Sequence, residues 1–129
     1  MKLIGFIKEH NNISEAKEYK NILGSEINNS EVINKTINYL NNGVYIFGWM
    51  NTIRSLDNNE LIAPNCYLTD GIFIWPAYYS YYLKKHPNFK IDNAFFEYLE
   101  KINFDFNKIK VSDRLKIELE KQLSENLKY

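Results

Sequence analysis

The stretch that decides the fold is Val44-Tyr45-Ile46-Phe47-Gly48-Trp49-Met50, answered further on by Leu68-Thr69-Asp70-Gly71-Ile72-Phe73-Ile74-Trp75-Pro76. Both runs are rich in β-branched and aromatic residues, whose side chains suit a pleated backbone. Both alternate with period two. Val44, Ile46 and Met50 fall on one parity and Tyr45, Phe47 and Trp49 on the other, while Ile72 and Ile74 alternate with Phe73 and Trp75. The first strand is expected to run to about Leu56, with a bend near Gly48. Asp57-Asn58-Asn59-Glu60 reads as a turn, and Leu61 to Thr69 as the returning strand. Pro64 within it calls for an edge position or a bulge, because proline has no N–H to give the ladder. Asp70-Gly71 reads as a two-residue hairpin turn, since both residues tolerate positive φ.

Around this meander the period changes to that of helices. Ser14 is placed as the N-cap of a helix to Leu23, with Gly24 as its stop. Ser30 caps a second helix, in which Ile33, Ile37 and Leu40 share a face before Gly43. Residues 77 to 86 read as a helix carrying Tyr78, Tyr79, Tyr81 and Tyr82, stopped by His86-Pro87. Asp92 caps a helix with Phe95, Tyr98, Leu99 and Ile102 in a stripe. Ser112 caps a last one to about Leu127, with Leu115, Leu119 and Leu123 in line. Residues 2 to 7 suggest a short strand. The expected fold is therefore α+β: a small antiparallel meander of three to four strands packed against N-terminal and C-terminal helices, in one domain over 1–129.

Composition narrows the function classes. Sixteen Lys and Arg balance sixteen Asp and Glu, which argues against nucleic acid and against an anionic membrane surface as partners. No run of apolar residues is long enough to span a membrane, and the apolar stretch at the N-terminus is too short for a signal peptide. One cysteine, Cys66, excludes an internal disulfide. The expected compartment is the cytoplasm. Catalytic sets are almost missing: Cys66 with His86 is the one Cys–His pairing on neighbouring elements, and buried cysteine ordinarily acts as a small hydrophobe. His10 beside Glu9 reads as a solvated loop histidine rather than a metal corner. No catalytic residue, metal ligand or cofactor is assigned, and the chain is not expected to be an enzyme.

Aromatic residues make up 16% of the chain, as ten Tyr, eight Phe and two Trp. Eleven of them lie between Tyr39 and Tyr82, a span with one arginine, Arg54, and three acids, Asp57, Glu60 and Asp70. Helices covering both faces of a small sheet would explain them as core. Yet four tyrosines within five positions of one helix are expected to leave one or two at the surface, where Tyr and Trp favour protein contacts. The candidate partner-binding residues are Asp70, Tyr67, Trp75, Tyr78 and Tyr79, with Arg54 as an anchor for a carboxylate. A second reading is a small-molecule or sugar module in which Trp49, Tyr67 and Trp75 stack on a ligand.

The segment Leu68–Pro76, followed by Tyr81-Tyr82 and a helix containing Phe95, resembles a family of small uncharacterised bacterial proteins whose "TDG" hairpin leads into a Trp-Pro strand end. Gly5-Phe6-Ile7-Lys8-Glu9-His10 and Tyr39-Leu40-Asn41-Asn42-Gly43 are similar to the same family's opening and helix-to-strand junction. The resemblance spans about residues 4 to 100. It departs at Tyr78-Tyr79, where a leucine is usual, and at Ile91-Asp92, where a proline is usual. Many such proteins resemble immunity proteins of polymorphic toxin systems. The resemblance therefore implies a cytoplasmic protein that neutralises a cognate toxin by direct binding, with a homodimer as a further assembly to consider.

Overall fold

The computed structural model describes residues 2–106 and 111–127. The elements run β1 (Lys2–Leu3), α1 (Tyr19–Ile22), α2 (Ser30–Asn41), β2 (Val44–Arg54), β3 (Leu61–Thr69), β4 (Phe73–Pro76), α3 (Tyr78–Lys85), α4 (Asn93–Lys101) and α5 (Asp113–Leu127). The class is α+β. β2, β3 and β4 form the antiparallel meander, and β1 joins the far edge of β4 in parallel, giving a mixed sheet of order β1-β4-β3-β2.

Both faces of the sheet are covered. Phe73 and Trp75 of β4 pack with Tyr39 and Leu40 of α2 and with Phe95 and Leu99 of α4. Ile74 points the other way, into a second core with Ile46, Tyr67, Phe6 and the Leu119, Leu123 and Leu127 stripe of α5. The parity split expected for β4 therefore holds, and all four of its residues are buried.

β2 does not keep a single parity. Tyr45 pairs with Leu68 and Phe47 with Tyr67, so Ile46 is an extra residue on its strand, and a further register shift follows between Gly48 and Thr52. A bulge moves every following side chain to the other face. Ile46 and Phe47 consequently both reach the second core, and Met50 is fully exposed instead of sharing a buried face with Ile46. Pro64 sits at that irregularity, opposite Thr52 and on the half of β3 that β4 does not reach, as a residue without an N–H for the ladder requires a bulge or an edge.

The β3–β4 turn is also built differently from the two-residue expectation. Thr69 pairs with Ile74, so four residues lie between the paired positions and three, Asp70 to Ile72, between the strands. The Asp70 carboxylate is buried and accepts the Ile72 and Phe73 N–H groups at 2.9 and 2.8 Å and the Tyr39 hydroxyl at 2.6 Å. Gly71 alone takes positive φ. A buried carboxylate needs donors, and these three bend the chain over it.

The N-terminal region departs furthest. The helix expected from Ser14 to Leu23 is reduced to the four residues of α1, preceded by Glu18 and not capped by Ser14. Ile13 is buried, Ala16 packs on the second core, and Lys17 pairs back through Lys8 N–H to Lys17 C=O at 2.8 Å. The Glu9 carboxylate takes the Tyr19 N–H. Residues 4 to 23 thus form an irregular strap, whose tertiary contacts override local helix propensity. Gly5 allows its closest approach: it has φ of 73°, and a Cβ there would lie 2.4 Å from the Tyr79 ring. Caps elsewhere follow expectation within one residue. Asn29 rather than Ser30 caps α2, Asp92 accepts Phe95 N–H at 3.0 Å, and Ser112 accepts Leu115 N–H at 3.1 Å.

The strap also explains the tyrosines. Tyr78, Tyr79 and Tyr82 are buried, and only Tyr81 is half-exposed, because α3 is enclosed by the strap as well as by the main core. Replacing Asp70 by Ala leaves three donors without their acceptor, the Tyr39 hydroxyl and the Phe73 N–H buried and the Ile72 N–H partly so. The expected cost is about 3 kcal/mol, read as a lowered midpoint in urea unfolding, with Tyr39→Phe costing about 1 kcal/mol.

Candidate functional site

The structure separates the six residues expected to form a partner surface. Asp70, Tyr67, Trp75, Tyr78 and Tyr79 are each at most 2% exposed, so their rings and carboxylate are core groups that a docking protein does not reach. Core formation is also visible in their bonds. Asn11 Nδ2 donates to the Tyr67 hydroxyl at 2.9 Å, Tyr78 donates to Asn11 Oδ1 at 2.8 Å, and Trp75 Nε1 donates to the Leu40 carbonyl at 3.3 Å. Burial pushes the Tyr79 hydroxyl well above its ordinary range. Arg54 alone is exposed, and its guanidinium donates to the Asn59 carbonyl at 3.0 Å, closing the β2–β3 turn. The stacking platform of Trp49, Tyr67 and Trp75 is not built either. Tyr67 and Trp75 lie in opposite cores, one on each face of the sheet.

Exposed apolar surface collects elsewhere. Along β2, an edge strand of the sheet, Tyr45 is 50%, Trp49 40% and Met50 104% exposed. Trp49 is propped edge-on against Phe47 and Tyr67, at ring separations of 5.4 and 6.0 Å, so a half-exposed indole stands on a buried base. Its strand carries one charge in eleven residues, Arg54 at the end. Edge strands that avoid contact usually carry charges or proline, and β2 has only its bulge.

A second assembly, which the sequence did not suggest, brings both histidines together with α1, α3 and the β2–β3 turn. The His86 Nε2 lies 2.7 Å from Asp57 Oδ2 and 2.7 Å from the Tyr19 hydroxyl, which itself donates to Asp57 at 2.9 Å. Tyr82, against the Tyr19 ring, holds its hydroxyl 2.8 Å from His10 Nε2 and accepts the Leu56 N–H at 3.0 Å. Burial, then Asp57, pushes the Tyr19 hydroxyl up, so it stays a proton donor at neutral pH. Burial alone would raise the Asp57 carboxyl, but hydrogen bonds from His86 and Tyr19 outweigh it and hold it below 3.8. This geometry clamps and does not relay. A general-base relay places the carboxylate on the imidazole nitrogen opposite the reacting hydroxyl, whereas here both share Nε2. The sequence signal for this cluster is limited to His86 before Pro87, which puts His86 at the end of α3.

Cys66 is half-buried with its thiol pushed up by burial, which disfavours the nucleophilic thiolate, and His86 is engaged with Asp57 and Tyr19. Among the described residues no three His, Cys, Asp or Glu side chains gather as a metal site. A cleft of about 510 Å³ runs between the strap and the start of α4, edged by Lys2, Lys17, Lys90, Glu15 and Asp92. Lys2 Nζ is 3.1 Å from Asp92 Oδ1, the same oxygen that caps Phe95, so this carboxylate is already engaged. Among the described residues no helix is long and apolar enough to cross a membrane.

No family model, curated protein or solved structure matches the chain.

The clamp makes a pH-dependent contribution of definite sign. Asp57 titrates lower in the folded protein than unfolded, so its contribution is complete above 3.8 and is lost as pH falls through and below that value. Asp57→Asn is expected to flatten this acid limb of a stability–pH curve measured by thermal unfolding, and to leave the rest of the curve in place.

Proposed function

We propose that this chain acts by binding another protein, as its resemblance to immunity proteins implies, and that the partner is a cognate toxin seated on the exposed edge of β2. The observation that carries this reading is the row Tyr45, Trp49 and Met50 on an edge strand with a single charge. An edge strand offers unpaired backbone groups, and an extended segment of the partner can add to it while Trp49 fills a pocket. Tryptophan on a fixed base is the residue type that most often dominates an interface, because its large area is buried with little loss of conformational freedom. The net charge of zero fits a partner surface recognised by shape and apolar contact more than one selected by a strong field.

The surface proposed here differs from the one expected from sequence. It keeps the meander as the binding element but moves from the Asp70 turn and α3 to the opposite edge of the sheet.

The test is co-purification with the protein encoded beside this gene, followed by titration of the pair in a calorimeter. Trp49→Ala and Met50→Lys are each expected to weaken binding at least about tenfold with unchanged circular dichroism. Arg54→Ala is expected to change affinity little, since the guanidinium serves its own turn. Tight binding that survives both Trp49→Ala and Met50→Lys would remove β2 as the docking edge, and toxin activity undiminished by excess protein would remove the immunity role.

A further inference from the structure

Of the five buried tyrosines among the described residues, four have their hydroxyls engaged inside the protein: Tyr39 with Asp70, Tyr67 and Tyr78 with Asn11, and Tyr82 with His10. Tyr79 is the exception, although it is only 1% exposed. The Asp92 N–H is set toward its oxygen but outside hydrogen-bond geometry, and no acceptor among the described residues takes its proton. Among those residues no sealed side-chain oxygen lacks a partner, so the Tyr79 hydroxyl has to reach open space. The space that Tyr79 borders is the cleft of about 510 Å³ between the strap and the start of α4. Gly5 lies against the Tyr79 ring, which covers the ring and leaves its hydroxyl end to meet the cleft. A docking protein does not reach so narrow an opening, but one ligand oxygen does.

We propose that this cleft binds a small monocarboxylate with an apolar body, whose carboxylate accepts the Tyr79 hydroxyl proton at the inner wall and is neutralised by Lys17 and Lys90 at the rim. The volume lies within the range of small-molecule sites. Its walls include the buried Ile4, Ile22 and Phe89 and the half-buried Ile91, which suit a hydrocarbon or aryl body. Three lysines against two carboxylates leave the rim one positive charge. Lys2 and Asp92 hold each other at 3.1 Å, whereas no ion pair among the described residues engages Lys17, Lys90 or Glu15. One negative charge therefore balances the rim, and Glu15 opposes a second, which disfavours phosphate. Burial keeps the Tyr79 hydroxyl protonated at neutral pH, so it meets the ligand as a donor. A hydroxyl that donates to a carboxylate makes one of the stronger kinds of hydrogen bond. The site is separate from the proposed docking edge, since no residue of β2 lines it.

The experiment is titration of the full chain with hydrocinnamate and with octanoate, followed by amide shifts in NMR at neutral pH. Saturable shifts are expected at Gly5, Lys17, Lys90 and Asn93, with a Kd on the order of 1 mM or tighter for at least one of the two acids. The neutral amide of that acid is expected to bind about tenfold more weakly. Tyr79→Phe should weaken binding about tenfold while leaving the urea midpoint in place, because the hydroxyl gives no hydrogen bond to the protein. Lys17→Gln with Lys90→Gln should weaken it by a similar factor, and Trp49→Ala should bind as wild type does. The proposal is overturned if neither acid gives saturable shifts at the cleft, or if inorganic phosphate reproduces them at equal concentration, which would mark an adventitious anion only. Unchanged affinity in Tyr79→Phe or in the double lysine variant also overturns it. So does a markedly lowered urea midpoint in Tyr79→Phe, which would give that hydroxyl a structural partner.

Discussion

Every tyrosine ring taken into this interior brings a hydroxyl with it, and that hydroxyl must find a partner. Leaving one unmade costs on the order of 1 to 3 kcal/mol, a large part of the stability of a small domain. The chain meets this demand throughout: among the described residues no buried side-chain nitrogen or oxygen lacks a partner. The partners come from segments distant in sequence. Asp70 serves Tyr39, Asn11 serves Tyr67 and Tyr78, and the Leu56 N–H and His10 serve Tyr82. Each pair fixes where two segments cross, so the irregular strap has a defined path although it has almost no secondary structure of its own.

The same demand decides what remains for the surface. Three tyrosines of α3 can be buried together only because the strap closes over them and supplies polar groups at the right places. The side chains left exposed are those of β2 beyond its bulge. Where alternation would have hidden Met50 with Ile46, the extra residue turns it outward and leaves Trp49 half-covered. A local insertion in the ladder thus sets the chemistry of the edge on which the proposed partner docks.

Gly5, Tyr39, Leu40, Asp70 and Trp75 occupy joints of this interior. Gly5 lies on the face of Tyr79, the Leu40 carbonyl receives Trp75, and Tyr39 binds Asp70 of the turn. Their chemistry is that of a scaffold.

Sequence by itself determined what depends on neighbours within a few residues. The meander, the stripes of α2, α4 and α5, and the caps at Asp92 and Ser112 follow from periodicity and local hydrogen bonding, and so does the α+β class. Even the parity of β4 was legible, because no bulge interrupts it. Tertiary structure alone decided the rest. The parity of β2 depends on one extra residue opposite β3, and the fate of Asp70 and of Tyr39, Tyr67 and Tyr78 depends on hydrogen-bond partners more than 30 positions away. Helix propensity around Ser14 to Leu23 yielded to contacts with α3 and the second core. His10, Tyr19, Asp57, Tyr82 and His86 share no spacing that a sequence could display, since four separate segments bring them together. Burial is a property of the whole packed chain, and it turned the expected binding surface into the core.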